Sequence, residues 1–201
     1  MVYGIFVEIY KSLKNNRRTT LMMTITANNP FDLFFNQLRD LYSVEIQLYE
    51  SMPDLIAMCT DEELLYLIVS HAHQNCDQIA RISSIFDRHG VMPGDYECKA
   101  IAGLIDEATI HLEGVRCPQT RNLMMIAHCL RIEYYEMAAY EVTTLLSGRL
   151  GLMREPMILS DLLAEEKKMA SALIHMEPAL FEAANSASVA PFNAGEGYTP
   201  W

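Results

Sequence analysis

Three stretches of this chain carry an acid where a helical pattern calls for an apolar residue. In Phe34, Leu38, Leu41, Glu45, Leu48 and Met52 the spacing alternates between three and four, so all six positions share one helix face. The same alternation joins Ile126, Leu130, Glu133, Met137 and Tyr140, and again Leu159, Leu162, Glu166, Met169, Leu173 and Met176. Each seam is apolar except for its glutamate, and Glu136 sits one turn beyond Glu133 on the same side. A fourth face, Leu64, Leu67, His71, Gln74, Gln78, Arg81 and Ile85, is polar in its middle turns without being acidic. An inward carboxylate is costly to desolvate unless a cation or a hydrogen-bond donor meets it. Acids converging from several helices are commonly held together by metal ions. The competing reading is a set of buried acids answered by Arg131, Arg81 or a tyrosine.

The elements that must carry these residues are helices. Asn28, Asn29 and Pro30 form a start signal, and the first helix is expected to run to Met52 and stop before Pro53. Thr60-Asp61-Glu62-Glu63 opens a second, which ends at the C′ glycine Gly90. Residues 90–118 read as a crossover with its own shorter helix between Glu97 and Glu113. Two more helices are expected over 119–147 and 155–184, with Pro156 in the first turn of the latter and Pro178 a point of kinking or early termination. No strand pattern is present. Two short-linked antiparallel hairpins joined by one long crossover make an all-α, ferritin-like four-helix bundle with a short fifth helix. In such bundles two helices each give a Glu to an interior site and the other two each give a Glu-x-x-His-type pair. The division expected is an N-terminal arm at 1–29 outside the core, the bundle at 30–184 and a flexible tail at 185–201.

Composition narrows the function. At 201 residues, 51% hydrophobic and 20% charged, the chain is globular. A net charge of −11 argues against a nucleic-acid partner and suits a protein that attracts cations. Five cysteines with no C-x-x-C pair argue against a disulfide framework and for a reducing, cytoplasmic setting. No apolar run reaches the roughly 18 residues of a spanning helix, so no membrane partner is expected. There is no GxGxxG, HExxH, zinc-finger spacing or Ser-His-Asp pattern.

Four motifs, taken in order, resemble the YciE/YciF bacterial stress-protein family. They are Asp40-Leu41-Tyr42-Ser43-Val44-Glu45-Ile46-Gln47-Leu48, Cys98-Lys99-Ala100-Ile101-Ala102-Gly103-Leu104-Ile105, Arg131-Ile132-Glu133-Tyr134-Tyr135-Glu136-Met137-Ala138-Ala139-Tyr140 and Leu163-Ala164-Glu165-Glu166-Lys167. The resemblance spans about residues 30–180. It implies a ferritin-like bundle, a homodimer and a rubrerythrin-like two-metal site, with peroxide chemistry suspected. The chain departs from the family pattern at Gln74, where the second helix usually has a Glu, and at Ala170, where the fourth often has an acid.

The expected metal ligands are therefore Glu45, Gln74, Glu133, Glu136 and Glu166, holding a divalent metal, iron or manganese, as one ion or two. The expected activity is on a small substrate such as peroxide or oxygen. The alternative is a non-enzymatic dimeric stress-associated protein that keeps the fold with a degraded, metal-free site. Of the paired histidines, His71 shares the Gln74–Gln78 face and is better placed than His73, and Asp77 could substitute one turn past Gln74. His128 and His175 read as ordinary surface or core histidines. Tyr42, Tyr134, Tyr135 and Tyr140 read as packing residues whose hydroxyls bond carboxylates.

Overall fold

The computed structural model describes residues 27–187, and within them five helices and no strand. These are α1 (Pro30–Met58), α2 (Glu62–His89), α3 (Lys99–Gly114), α4 (Pro118–Arg149) and α5 (Glu155–Ala187). Most of the expected arm and tail, residues 1–26 and 188–201, lies outside the described residues.

Local signals set the helix starts. The Asn29 side chain accepts from the Asp32 backbone N–H at 2.9 Å, and the Asp32 carboxylate accepts from the Asn28 N–H at 3.1 Å. The Asp61 carboxylate caps α2 by accepting from the Leu64 N–H at 2.9 Å. Gly90 ends α2 in the left-handed region at φ 63°, which a side chain would disfavour.

The first helix does not stop before Pro53 as expected, and the last does not end early at Pro178. α1 runs through Pro53 to Met58, and α5 runs through Pro178 to Ala187. In both cases the apolar face continues beyond the ring. Cys59 is buried after Pro53, with Leu55 and Ile56 packed against the core. Leu180 and Ala184 are buried after Pro178. Burying those side chains outweighs a proline penalty of about 3 kcal/mol.

α1 packs on α2 and α4 packs on α5 as hairpins; α1 also meets α4, α2 meets α5, and α3 lies across α4 and α1. The interior is built of two apolar blocks. One gathers Phe34, Leu38, Leu41, Ile82, Phe86 and Leu159; the other gathers Leu48, Met52, Ile68, Met125, Met169 and Leu173. On every main helix a polar stretch falls between the two blocks. It is Glu45 on α1, His71 to Gln78 on α2, Glu133 to Glu136 on α4 and Glu166 on α5. The fold thus sandwiches one polar layer between two apolar ones.

Side-chain ties hold this register. The Cys98 N–H donates to Ser43 Oγ at 2.9 Å and Gln47 Nε2 donates to the Cys98 carbonyl at 3.2 Å, which pins the crossover to α1. The Tyr135 hydroxyl donates to Asp40 at 2.9 Å. At the far end Glu155, buried at the start of α5, meets Arg88 Nε at 3.2 Å and His89 Nε2 at 3.1 Å from the end of α2.

Candidate metal centre

The polar layer brings together Glu45, Glu133, Glu136 and Glu166. Glu45, Glu136 and Glu166 are 0% exposed and Glu133 is 2% exposed. Ligand atoms of His71, Glu133, Glu136 and Glu166 all lie within 4.8 Å of one another. These residues come from α2, α4 and α5, so only the assembled bundle makes the cluster.

Each carboxylate has a different set of partners. Glu45 is answered on both oxygens, by the Tyr140 hydroxyl on Oε1 and by Asn75 Nδ2 on Oε2 at 2.7 Å. Glu166 receives Gln78 Nε2 on Oε1; its Oε2 meets no amide, hydroxyl or cation, but the Glu166 and Glu133 carboxyls lie close enough to share a proton. Glu133 faces His71 Nε2 across 3.5 Å through Oε1, too long for a good hydrogen bond, and its Oε2 has no donor. Neither oxygen of Glu136 has a partner, and the His71 ring makes no well-formed hydrogen bond, with Glu133 and the Gln74 side chain as polar neighbours.

Electrostatics magnify the problem. Burial pushes Glu45 up to about 7 despite the Tyr140 and Asn75 hydrogen bonds. Burial raises Glu133 and, with the added repulsion of Glu45 and Glu133, raises Glu166 further. Glu136 is driven well above the ordinary carboxylate range by burial and then by the charges of Glu45, Glu166 and Glu133. Burial also lowers His71 to about 4, so it is a neutral imidazole, the form that ligates metals. Arg81, whose charge reaches Glu45, pairs directly with Glu165 and, at 2.7 Å, with Asp77. Arg131 faces Glu107 and His128. None of Arg81, Arg131 and Tyr140 hydrogen-bonds Glu133, so the partners that would make it a purely structural acid are engaged with other residues.

The expected residues are not all placed alike. Glu133, Glu136 and Glu166 share the cluster, and Glu45 stands beside them, close enough for its charge to raise theirs. Gln74 is only half-buried, and its side chain lies against the His71 ring. The buried row of α2 runs Ile68, His71, Asn75, Gln78, Ile82 and Ile85, not through Leu67, Gln74 and Arg81. A 3.6-residue period permits either row, but the apolar Ile68 and Ile82 were a signal for the true one. On α4 the buried seam passes through Cys129 and Glu136, leaving Leu130 and Met137 half-buried. His71 is the donor that α2 brings to the group, and Asn75 and Gln78 are the amides that orient Glu45 and Glu166. Ala170 is buried on α5 and supplies no ligand atom.

A small cavity of about 30 Å³ abuts the cluster. His71, Glu133 and Ser51 are its polar lining, and Leu48, Met52, Ile68 and Met169 are among its apolar lining. That volume suits a particle the size of a water molecule.

An interior carboxylate–histidine cluster in a two-hairpin helical bundle defines a ferritin-like protein. Residues 29–185 match the family described as "Domain of unknown function (DUF892)". Protein YciF of Escherichia coli (strain K12) is 30% identical over 137 residues, which is 68% of this chain and 82% of that protein. The crystal structure of the E. coli stress protein YciF superposes with a TM-score of 0.75 at 27% identity, covering 78% of this chain and 99% of that one. YcfI from Rhodopseudomonas palustris gives a TM-score of 0.71 at 28% identity, over 77% and 97% of the two chains. The chain belongs to this family, that of the YciF-like stress proteins. No described helix is long and apolar enough to cross a membrane.

Proposed function

We propose that the polar layer is a carboxylate–histidine centre for iron or manganese and that the protein acts, as a stress-response protein, on peroxide or oxygen. The observation that carries this is that buried Glu133, Glu136, Glu166 and His71 bring ligand atoms within 4.8 Å of one another, while no protein cation answers them. Oxygen-rich donors with one imidazole suit hard or borderline divalent ions. Two divalent ions would neutralise the four interior carboxylates; one would neutralise half of them and leave protons on the rest. When bound, the metal would supply a redox couple for a small oxidant.

The chain's own residues prepare that chemistry. Tyr140 and Asn75 hold Glu45 in place, and Gln78 fixes one oxygen of Glu166 so that the other is free to ligate. Glu136 keeps both oxygens available. The apolar cavity wall excludes bulk water and limits access to small molecules. Tyr134, Val142 and Leu145 lie exposed along one side of α4 and fit the homodimer that belongs to the same reading.

Protein purified without chelator and reconstituted with Fe(II) or Mn(II) tests the centre. One or two ions per chain are expected by elemental analysis, together with peroxide consumption that Glu136→Gln abolishes. Protein that stays metal-free after reconstitution overturns it. The second reading, a metal-free stress-associated dimer, draws on the full hydrogen bonding of Glu45 and on the missing acids at Gln74 and Ala170. It predicts that result, with a bundle unchanged in stability by added metal.

A further inference from the structure

A second convergence of ligand atoms lies away from the polar layer, where the crossover helix α3 meets α4. Glu107 and His111 stand four apart on α3 and so face the same way. His128 of α4 faces them. Ligand atoms from all three lie within 4.8 Å of one another. His111 Nδ1 and His128 Nε2 are 3.2 Å apart. Two nitrogens bound to one tetrahedral zinc at 2.0–2.1 Å would be about 3.3 Å apart, so the ring positions already match that edge. His128 is 2% exposed, which fixes its ring, while Glu107 and His111 are exposed and admit an ion from solvent.

We propose that Glu107, His111 and His128 form a second, zinc-binding site that docks the crossover helix onto α4, independent of the interior cluster. Two imidazoles and a carboxylate are a borderline donor set that suits zinc, with the fourth position left to water. The ion would replace the proton that otherwise sits between the two rings.

Arg131 sets the affinity. Its Nη1 lies 3.1 Å from His128 Nδ1 and 3.6 Å from Glu107 Oε2. A guanidinium can only donate, so Nδ1 accepts and the proton of neutral His128 sits on Nε2, pointing at His111. For zinc to take Nε2, that proton must move to Nδ1 and Arg131 must swing off the ring. Glu107 can receive it on the oxygen not used for the metal, so the same arginine that opposes binding is kept paired. Burial, then the charge of Arg131, lowers His128, which keeps the ring neutral and able to ligate.

Zinc alone, titrated calorimetrically into the full-length protein, tests the site by difference between variants. His111→Ala changes an exposed side chain and leaves the core intact. It is expected to remove one zinc equivalent per chain relative to the unaltered protein, and Glu107→Gln to weaken that equivalent. Arg131→Gln is expected to tighten it by about tenfold, the scale of an outer-shell effect. Because the readout is the difference caused by His111, metal held by the interior cluster does not affect it. Equal zinc stoichiometry and affinity in the His111→Ala variant would overturn the site. Unchanged or weaker binding in Arg131→Gln would overturn the role given to the arginine.

Discussion

Tyr140 of α4 donates its hydroxyl to Glu45 of α1, across a layer where both residues are 0% exposed. Burial and the neighbouring glutamates raise Tyr140 well above its ordinary value, so it stays protonated and remains a donor. Tyr140→Phe would keep the ring packing and strip one oxygen of Glu45 of its partner. The expected cost is about 1–3 kcal/mol in urea denaturation of the metal-free protein. Metal affinity should fall by about tenfold as Glu45 loses its orientation. A change below about 0.5 kcal/mol would mean that the bond contributes little beyond the net value of a solvated pair.

Glu136→Gln separates ligation from structure. Both Glu136 oxygens are buried without partners beside three other acids, an arrangement that burdens the metal-free fold. The amide has the same shape and no charge. The metal-free variant should therefore be at least as stable as the unaltered protein near pH 8, while losing metal loading. Thermal melts and elemental analysis on the same samples check both halves. A destabilised metal-free variant would assign Glu136 a structural role instead.

The raised carboxylates give the metal-free protein an inverted pH dependence. Glu45 moves from 4.5 to about 7, and Glu133, Glu136 and Glu166 also shift upward. Between the unfolded and folded values the folded chain binds more protons, so its stability falls as pH rises. The contribution of these groups is fully present below about pH 4.5 and is lost upward through pH 7 and beyond. Denaturation at pH 5.5 and pH 8 should show the metal-free protein weaker at pH 8. Metal-saturated protein should show the reverse, because ions replace the protons and their release on loading can be measured directly.

Pro53→Ala should stabilise the bundle. The ring sits exposed inside α1 and removes a helical hydrogen bond, while the buried residues on either side hold the helix together. Restoring the N–H and relieving the clash should add about 1–3 kcal/mol, read as a higher urea midpoint at unchanged slope. No gain would mean that the helix is adapted to a bend at this point.

Several of these features are visible in the residues alone. The seams through Glu45 and Glu166 are buried at every position named from their spacing, because strongly apolar neighbours on both sides leave no second face to choose. Glu133 is buried as its spacing indicated, although Leu130 and Met137 of the same seam are only half-buried. Glu136 is less legible, since Met137 competes with it for the inward direction and is as apolar as the seam requires. The α2 row is the least legible: Gln74 and Asn75 are both polar, and one step of 100° decides which faces inward. Pro53 is a poor guide because local backbone chemistry argues for a stop there, whereas the packing of Leu55, Ile56 and Cys59 is a property of the assembled core.

Pattern and composition were sufficient to set five helices, their order, and the fact that acids from three of them point inward, since periodicity follows from the chain itself. Which oxygen meets which donor was decided only by packing four helices together. Asn75 on Glu45, Gln78 on Glu166, and no donor on Glu136 depend on rotations and offsets between helices that no single helix encodes. The pairing of His111 with His128 depends likewise on how the crossover lies against α4. Side chains distant in sequence become neighbours only when burial of the apolar blocks fixes the helices in register.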